Sequence, residues 1–560
     1  MLLRLSPLIV LIALGGPIIL GLAFTALPAF GFFPAIGGHT LSLQGWRDLA
    51  AFPGFFTALR LTLTTGITAT LISLVIAVSF CALTAQNASL NRFRHWLAPL
   101  LAAPHSAIAL GFAFLVAPSG WILRLLSPWA TGYDRPPTDI ITIQDPLGLA
   151  LVAGLLLKEV PYLILMILAA TSQVAVAPTL ATARALGQRP AIAWIKTVFP
   201  QVYPQIRLPV FAVLAFSLSV VDMALILGPG TAPPLAVLAV RWFANFNLTL
   251  YYPAAAAAML QLVLVALCIT LWRLMESPVS RLALRWIEHG GSNRLGGNLV
   301  SVAGWLAVLL GVLGIVSLIG MSLWAFAGIW RFPDALPTNW RISQFETLVQ
   351  NVLAPASTTV FIAITTVILA LLLALGCLEN EQRQGLHPGK AIVWMLYVPL
   401  LAPQIGFLFG VQVLLIRLNL DGTLLAVIWI HTIFVMPYVF LSLADPFRSL
   451  DPRYIAGAAA LGASPLRIFL AIKLPLLTRP LLAAAAVGFA VSVSLYLPTL
   501  FAGSGRVVTL TTEAVTLSDG ADRRITGMLV LFQSALPLAA YALALSIPAI
   551  LFANRRGLAR

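Results

Sequence analysis

Polar residues are crowded into short stretches of this chain, and long apolar runs fill the space between them. Twelve such runs are legible: 5–27, 56–83, 96–116, 147–171, 205–228 and 253–274 in the first half, and 299–328, 353–378, 391–415, 423–443, 477–500 and 527–552 in the second. Each approaches the ~20 residues that a helix needs to cross a bilayer. The other closed solution in lipid is a β-barrel, whose strands alternate over ~10 residues. No such alternation occurs, and stretches such as Leu71 to Leu83 and Val367 to Leu375 are almost uninterrupted. The pattern predicts an all-α polytopic membrane protein with about twelve spans. The run from Leu5 is too long for a signal peptide and is read as a first span that stays in the protein.

Composition narrows the class. Of 560 residues, 60% are apolar and 9% charged, against ~25% charged in a soluble domain. That excludes a water-soluble globule, and the apolar content excludes a disordered chain. The three cysteines, Cys81, Cys268 and Cys377, all fall in apolar runs and read as small buried residues. The six histidines are scattered with no i,i+4 pair, so no metal site is expected.

The net charge of +15 is distributed by topology. With the N-terminus placed in the cytoplasm, inside segments hold 21 basic and 6 acidic residues, and outside segments 11 and 10. The positive-inside rule therefore predicts a multi-pass membrane protein with both termini cytoplasmic. Basic charge laid out this way is not a nucleic-acid footprint, and membrane lipid is the expected contact.

The chain is also a tandem repeat. Arg184-Ala185-Leu186-Gly187 is followed by Pro190 and Pro200; Ala459-Ala460-Leu461-Gly462 is followed by Pro465 and Pro475 at the same intervals. Pro161-Tyr162 answers Pro437-Tyr438, and Pro99 to Pro104 answers Pro399 to Pro403. An even number of spans per repeat makes the two repeats parallel. The expected division is a first half over 1–275, a Gly- and Arg-bearing cytoplasmic linker over 276–298, and a second half over 299–560.

The segment between spans 4 and 5 of each half is short and Ala-rich, and it ends in Gly and then Pro. Ala and Leu favour helix, Gly stops it, and Pro opens the next segment. One copy would read as a plain surface helix. Two copies in one register suggest paired docking elements for a twofold-symmetric partner. These segments resemble the signature loop of permease subunits in binding-protein-dependent ABC importers: Glu-Ala-Ala, three residues, Gly, then Ile-x-Leu-Pro. Ala183, Gly187 and Pro200 match in the first copy, and Ala458, Gly462, Ile472, Leu474 and Pro475 in the second. The leading Glu is Ala181 in one and Ala456 in the other. The chain is most similar to fused permeases of the ferric-iron, thiamine and polyamine group.

The resemblance implies a type-1 permease fold in a bacterial inner membrane, two ABC ATPase subunits on the cytoplasmic coupling loops, and a periplasmic solute-binding protein. It implies a transport rather than an enzymatic role. No ATPase motif is present: Gly389-Lys390 is followed by Ala391, and Gly385 is one position off. No cofactor is expected in this chain, with ATP and Mg held by the partner ATPases. Three ionisable residues fall inside spans, Lys158, Glu159 and Asp222. Such groups face a cavity or one another, so they either line the solute path, with an acid toward a cationic group, or form an internal ion pair between spans 4 and 5. The Gly- and Pro-dense loops at 227–234 and 496–506 are either ordinary turns or a gate. The alternative reading of the whole chain is a twelve-span secondary transporter with parallel repeats, although 87–96 lacks the charged signature of that class.

Overall fold

In a computed structural model the described residues, which are 2–84, 93, 97, 99–288, 294–341, 345–385, 390–518, 520 and 522–552, form helices joined by loops and turns. The centre of the expected linker at 289–293, including Ser292, lies outside them. So do most of 87–96, Gly389, Asp519 and the basic residues at 553–560.

Among the described residues, nine helices of the first half recur in order in the second. The first set is α1 (Gly16–Ala29), α2 (Phe55–Thr84), α3 (His105–Val116), α4 (Leu149–Thr171), α5 (Val176–Ala185), α6 (Phe199–Ser219), α7 (Asp222–Leu227), α8 (Leu235–Phe243) and α9 (Tyr251–Glu288). The second set is α10 (Arg294–Leu323), α11 (Phe345–Gln384), α12 (Ile405–Arg417), α13 (Leu424–Arg448), α14 (Pro452–Ala460), α15 (Thr478–Ser494), α16 (Leu497–Gly503), α17 (Leu510–Thr516) and α18 (Arg523–Leu551). The correspondence extends to single bonds. The Leu235 N–H opening α8 donates to Thr62 Oγ1 at 2.9 Å, and the Leu510 N–H opening α17 donates to Thr359 Oγ1 at 2.9 Å.

The span count differs from the twelve expected. Among the described residues ten helices are long and apolar enough to cross a membrane, or eleven if the pair 465–476 and 478–494, bent by 74°, is one span. The run 391–415 is two short helices, Lys390–Leu401 and α12, interrupted at 402–404. The run 96–116 breaks likewise at Ala103 and Pro104. Proline explains both, since its ring cannot donate to the ladder and disfavours helix at the residue before it. The runs 205–228 and 477–500 also stop early, α6 at Ser219 and α15 at Ser494. The expected linker is partly helical, with α9 running to Glu288 and α10 beginning at Arg294.

Three widened π turns, Leu11–Gly15, Trp194–Val198 and Phe469–Lys473, each precede a proline by two residues: Pro17, Pro200 and Pro475. The proline ring would clash with the carbonyl four residues back. That carbonyl lies in the π turn every time, so the extra residue relieves the clash.

Each half reaches into the other. α1 packs on α12, and α10 packs on α3. Each third helix also touches the last helix of the opposite half, α12 on α9 and α3 on α18. Inside a bilayer such packing relies on small residues that let backbones approach. At the α1–α12 crossing Gly21 faces Gly410, where a Cβ on Gly410 would overlap the Gly21 carbonyl oxygen. Thr25 seals it, donating to the Gly21 carbonyl (2.9 Å) and accepting from the Gly410 N–H (3.0 Å). At the α3–α10 crossing a Cβ on Gly111 would sit 2.5 Å from the Ser317 carbonyl oxygen. Gly410→Val should therefore destabilise by at least about 1–3 kcal/mol and yield aggregated protein in size-exclusion chromatography. Gly16→Ala, which meets nothing within 4 Å, should leave the elution profile unchanged.

Candidate functional site

The two Ala-Leu-Gly segments fold alike. α5 and α14 each end in a paired hydrogen-bond stop. Gly187 N–H donates to the Arg184 carbonyl (2.9 Å) and Gln188 N–H to the Ala183 carbonyl (3.1 Å). In the second copy Gly462 N–H donates to Ala459 (3.0 Å) and Ala463 N–H to Ala458 (3.0 Å). This stop needs a left-handed residue, and Gly187 and Gly462 have φ of +78° and +79°. No heavy atom lies within 4 Å of a Cβ built on either glycine. The glycines are thus required by backbone conformation and not by crowding within this chain. Pro190 and Pro465 then open short helices at 190–193 and 465–468, where a missing N–H costs nothing. Pro200 and Pro475 follow the π turns described above.

The side chains before each glycine are displayed. Leu186 is 77% exposed and Leu461 is 90% exposed. Behind them Ala183 is buried and Ala458 half-buried, so the C-terminal end of each helix is its more exposed part. The copies differ chemically. Arg184 and Arg189 flank the first, whereas Ala459 and Ser464 occupy those places in the second, with Arg453 and Tyr454 at its start. Asp451 caps α14, accepting from the Arg453 N–H at 2.9 Å.

The three ionisable residues of the bundle core are all buried: Lys158 5%, Glu159 5% and Asp222 8% exposed. They are not an ion-paired unit. The Lys158 ammonium donates to the carbonyls of Leu100 (2.9 Å), Leu101 (3.2 Å) and Ala103 (2.6 Å). It therefore caps the helix end left open where the chain breaks before Pro104. Glu159 is the next residue on α4 and points about 100° away; it makes no hydrogen bond or ion pair with any described residue. Asp222 begins α7, immediately after the break at Val220 and Val221, and makes no ion pair among the described residues. α7 packs on α4, so the two carboxylates sit on neighbouring elements of the first half.

Two buried polar groups in the second half were not singled out from sequence. His431 on α13 hydrogen-bonds Ser492 on α15 through Nδ1 (2.9 Å) and Thr499 on α16 through Nε2 (2.9 Å). Gln533 on α18 donates to Ser106 on α3 (2.8 Å) and to Thr511 on α17 (2.7 Å). A lone His or Gln in an apolar run carries no spacing signal; its register against Ser and Thr of other helices becomes visible only when the helices are packed. Among the described residues no three His, Cys, Asp or Glu side chains gather as a metal site.

No family model matches the chain. It is 32% identical over 509 residues, covering 90% of both chains, to YnjC, an inner membrane ABC transporter permease protein of Escherichia coli (strain K12). The chain belongs to the ABC transporter permease family. The permease thus carries two structurally matched loop segments and a core in which Lys158 bonds backbone carbonyls and makes no salt bridge to Glu159 or Asp222.

This separation gives a direct check. Lys158→Met should strip three carbonyls of their donor, at about 1–3 kcal/mol for each buried group left unsatisfied, and lower the melting temperature in detergent. Glu159→Gln and Asp222→Asn should melt at or above the temperature of the unaltered permease, because neither removes a partner from Lys158. A fall in both acid variants, restored by adding Lys158→Met, would show the ion-paired scaffold instead.

Proposed function

We propose that this chain supplies both permease halves of the transmembrane unit of an ATP-driven importer, at residues 1–275 and 299–560. The observation that carries the reading is the pair of projecting Leu-Gly helix ends, Leu186-Gly187 and Leu461-Gly462, at one register in both halves. Each would enter a groove on one of two ABC ATPase subunits, which supply ATP and Mg. Family membership supports an ATPase partner, and the inner-membrane location of the E. coli relative supports the same membrane here. A periplasmic solute-binding protein would deliver the solute. ATP-driven closure of the ATPase pair draws the two segments together and opens the core outward.

Glu159 and Asp222 are the residues assigned to the solute path. A buried carboxylate without an ion partner is costly in a membrane core, and a cationic group on the solute would relieve that cost. Lys158 does not compete for this role, since carbonyls occupy its ammonium.

Docking is tested by Gly187→Leu and Gly462→Leu. A side chain in the left-handed conformation costs about 1–2 kcal/mol, so each change should unwind a helix end. Each should weaken co-purification of the ATPase subunit while leaving membrane insertion intact, and the double variant should be worse. Undiminished ATPase recovery in the double variant would remove the docking assignment. Orientation is tested by single cysteines in a background without the three native ones. Ser464→Cys should label only after the cytoplasmic face is opened, and Thr138→Cys in intact cells once the outer membrane is permeable. The reverse pattern overturns the topology.

A further inference from the structure

The two loop segments are fastened to different helices. In the second half Lys473, two residues before Pro475, is 3% exposed and so is Glu379 near the end of α11. The Lys473 ammonium donates to Glu379 Oε2 (2.6 Å) and Gln382 Oε1 (2.6 Å), and lies 5.5 Å from the ring centre of Phe447 on α13. Arg383 Nε donates to Glu379 Oε1 (2.6 Å), and Arg383 Nη2 reaches the Pro465 carbonyl (3.1 Å). Arg448 adds a bidentate pair to Glu381, at 2.7 and 2.9 Å. The last two turns of α11 thus grip the chain at Arg448 before α14 and at Pro465 and Lys473 after it.

The first half has none of these groups. In the register set by Thr62 and Thr359, Ala82 stands in place of Glu379, and in the register set by Gly187 and Gly462, Val198 stands in place of Lys473. Its segment is tied to α9 instead. Glu276 accepts from Tyr203 Oη (2.9 Å), Arg207 Nε (3.1 Å) and Arg273 Nη1 (2.7 Å). Trp272 Nε1 donates to Tyr203 (3.0 Å), and the Lys196 ammonium lies 4.7 Å from the ring centre of Trp286. In the second half Thr478 and Leu482 take the places of Tyr203 and Arg207.

We infer that Glu379 and Lys473 are positioning residues that make α11 the helix moved by the second segment, whereas Glu276 makes α9 the helix moved by the first. The inference rests on the coupling reading proposed above. Parting a buried, fully hydrogen-bonded ion pair leaves an uncompensated charge, so the link transmits displacement without slipping. One partner motion then reaches two non-equivalent helices, and a structurally repeated protein opens asymmetrically.

Two measurements test it. The first uses the chain alone. Glu379→Gln with Lys473→Met removes the link and leaves no lone charge between them. Amide exchange in residues 463–473 should quicken about tenfold or more, with 188–198 unchanged, and Lys473→Arg should keep exchange slow. Unchanged exchange in the double variant overturns the clamp. The second uses the complex with its ATPase subunits, with spin labels on the lipid-facing positions Leu372 (α11), Leu267 (α9) and Ile319 (α10). ATP with vanadate should shift both the 372–319 and the 267–319 distances. The Glu379→Gln/Lys473→Met variant should lose only the 372–319 shift, and Glu276→Gln only the 267–319 shift. Survival of the 372–319 shift in the double variant overturns transmission through the pair. No shift of either distance in the unaltered chain overturns the coupling reading itself, a result distinct from loss of the clamp.

Discussion

The architecture depends on the exchange of third helices between halves, at the contacts of α1 with α12 and α10 with α3. Lipid tails are as apolar as leucine, so burying leucine drives little helix association in a bilayer. Close backbone contact must supply it. Gly21 against Gly410, and Gly111 against Ser317, provide that contact, and Thr25 converts one crossing into a hydrogen-bonded joint. Because each third helix rests on the first and last helices of the other half, neither half is a closed bundle by itself. Everything between the crossings, including the charged core and the two projecting segments, takes its position from them.

On that frame the halves have diverged where charge is concerned. The first half carries Lys158, Glu159 and Asp222 in its core, and the second carries His431 tied to Ser492 and Thr499. Near the projecting segments the first half gathers its partners on Glu276 and the second on Glu379. Near the segments Glu276, Glu379 and Lys473 are all paired, as burial of a charge favours. Divergence at one position therefore required compensating residues on a neighbouring helix, and the two halves found them on different helices. Backbone features escaped this divergence. The left-handed glycines and the π turns before Pro200 and Pro475 are alike in both copies, because they are set by chain geometry and not by a partner side chain.

The membrane class, the helical fold and the repeat were legible in the sequence because each depends on local chemistry. A spanning segment must be apolar along its whole length, and the Leu-Gly-to-Pro interval fixes a helix end and the next start. Helix continuity was less legible. Pro161 and Pro437 lie inside unbroken α4 and α13, whereas the chain breaks at Pro104 and Pro403. Neighbouring helices decide whether a freed carbonyl is re-satisfied, and the Lys158 ammonium does so at the first break. The internal ion pair between spans 4 and 5 is not formed, since the carbonyls at the break before Pro104 occupy the Lys158 ammonium. Glu379 and Lys473 counted as ordinary inside-loop charges. Their burial depends on the overhang of α11 past its apolar stretch and on the fold of the π turn, neither of which leaves a local mark.

The central claim, that the halves complete each other through the exchanged third helices, is tested most directly by expressing residues 1–288 and 294–560 as separate chains. The account predicts that they co-purify from detergent as a one-to-one complex, that either alone is aggregated or degraded, and that Gly410→Val abolishes the complex. Recovery of either half alone as a monodisperse, cooperatively melting protein would contradict it.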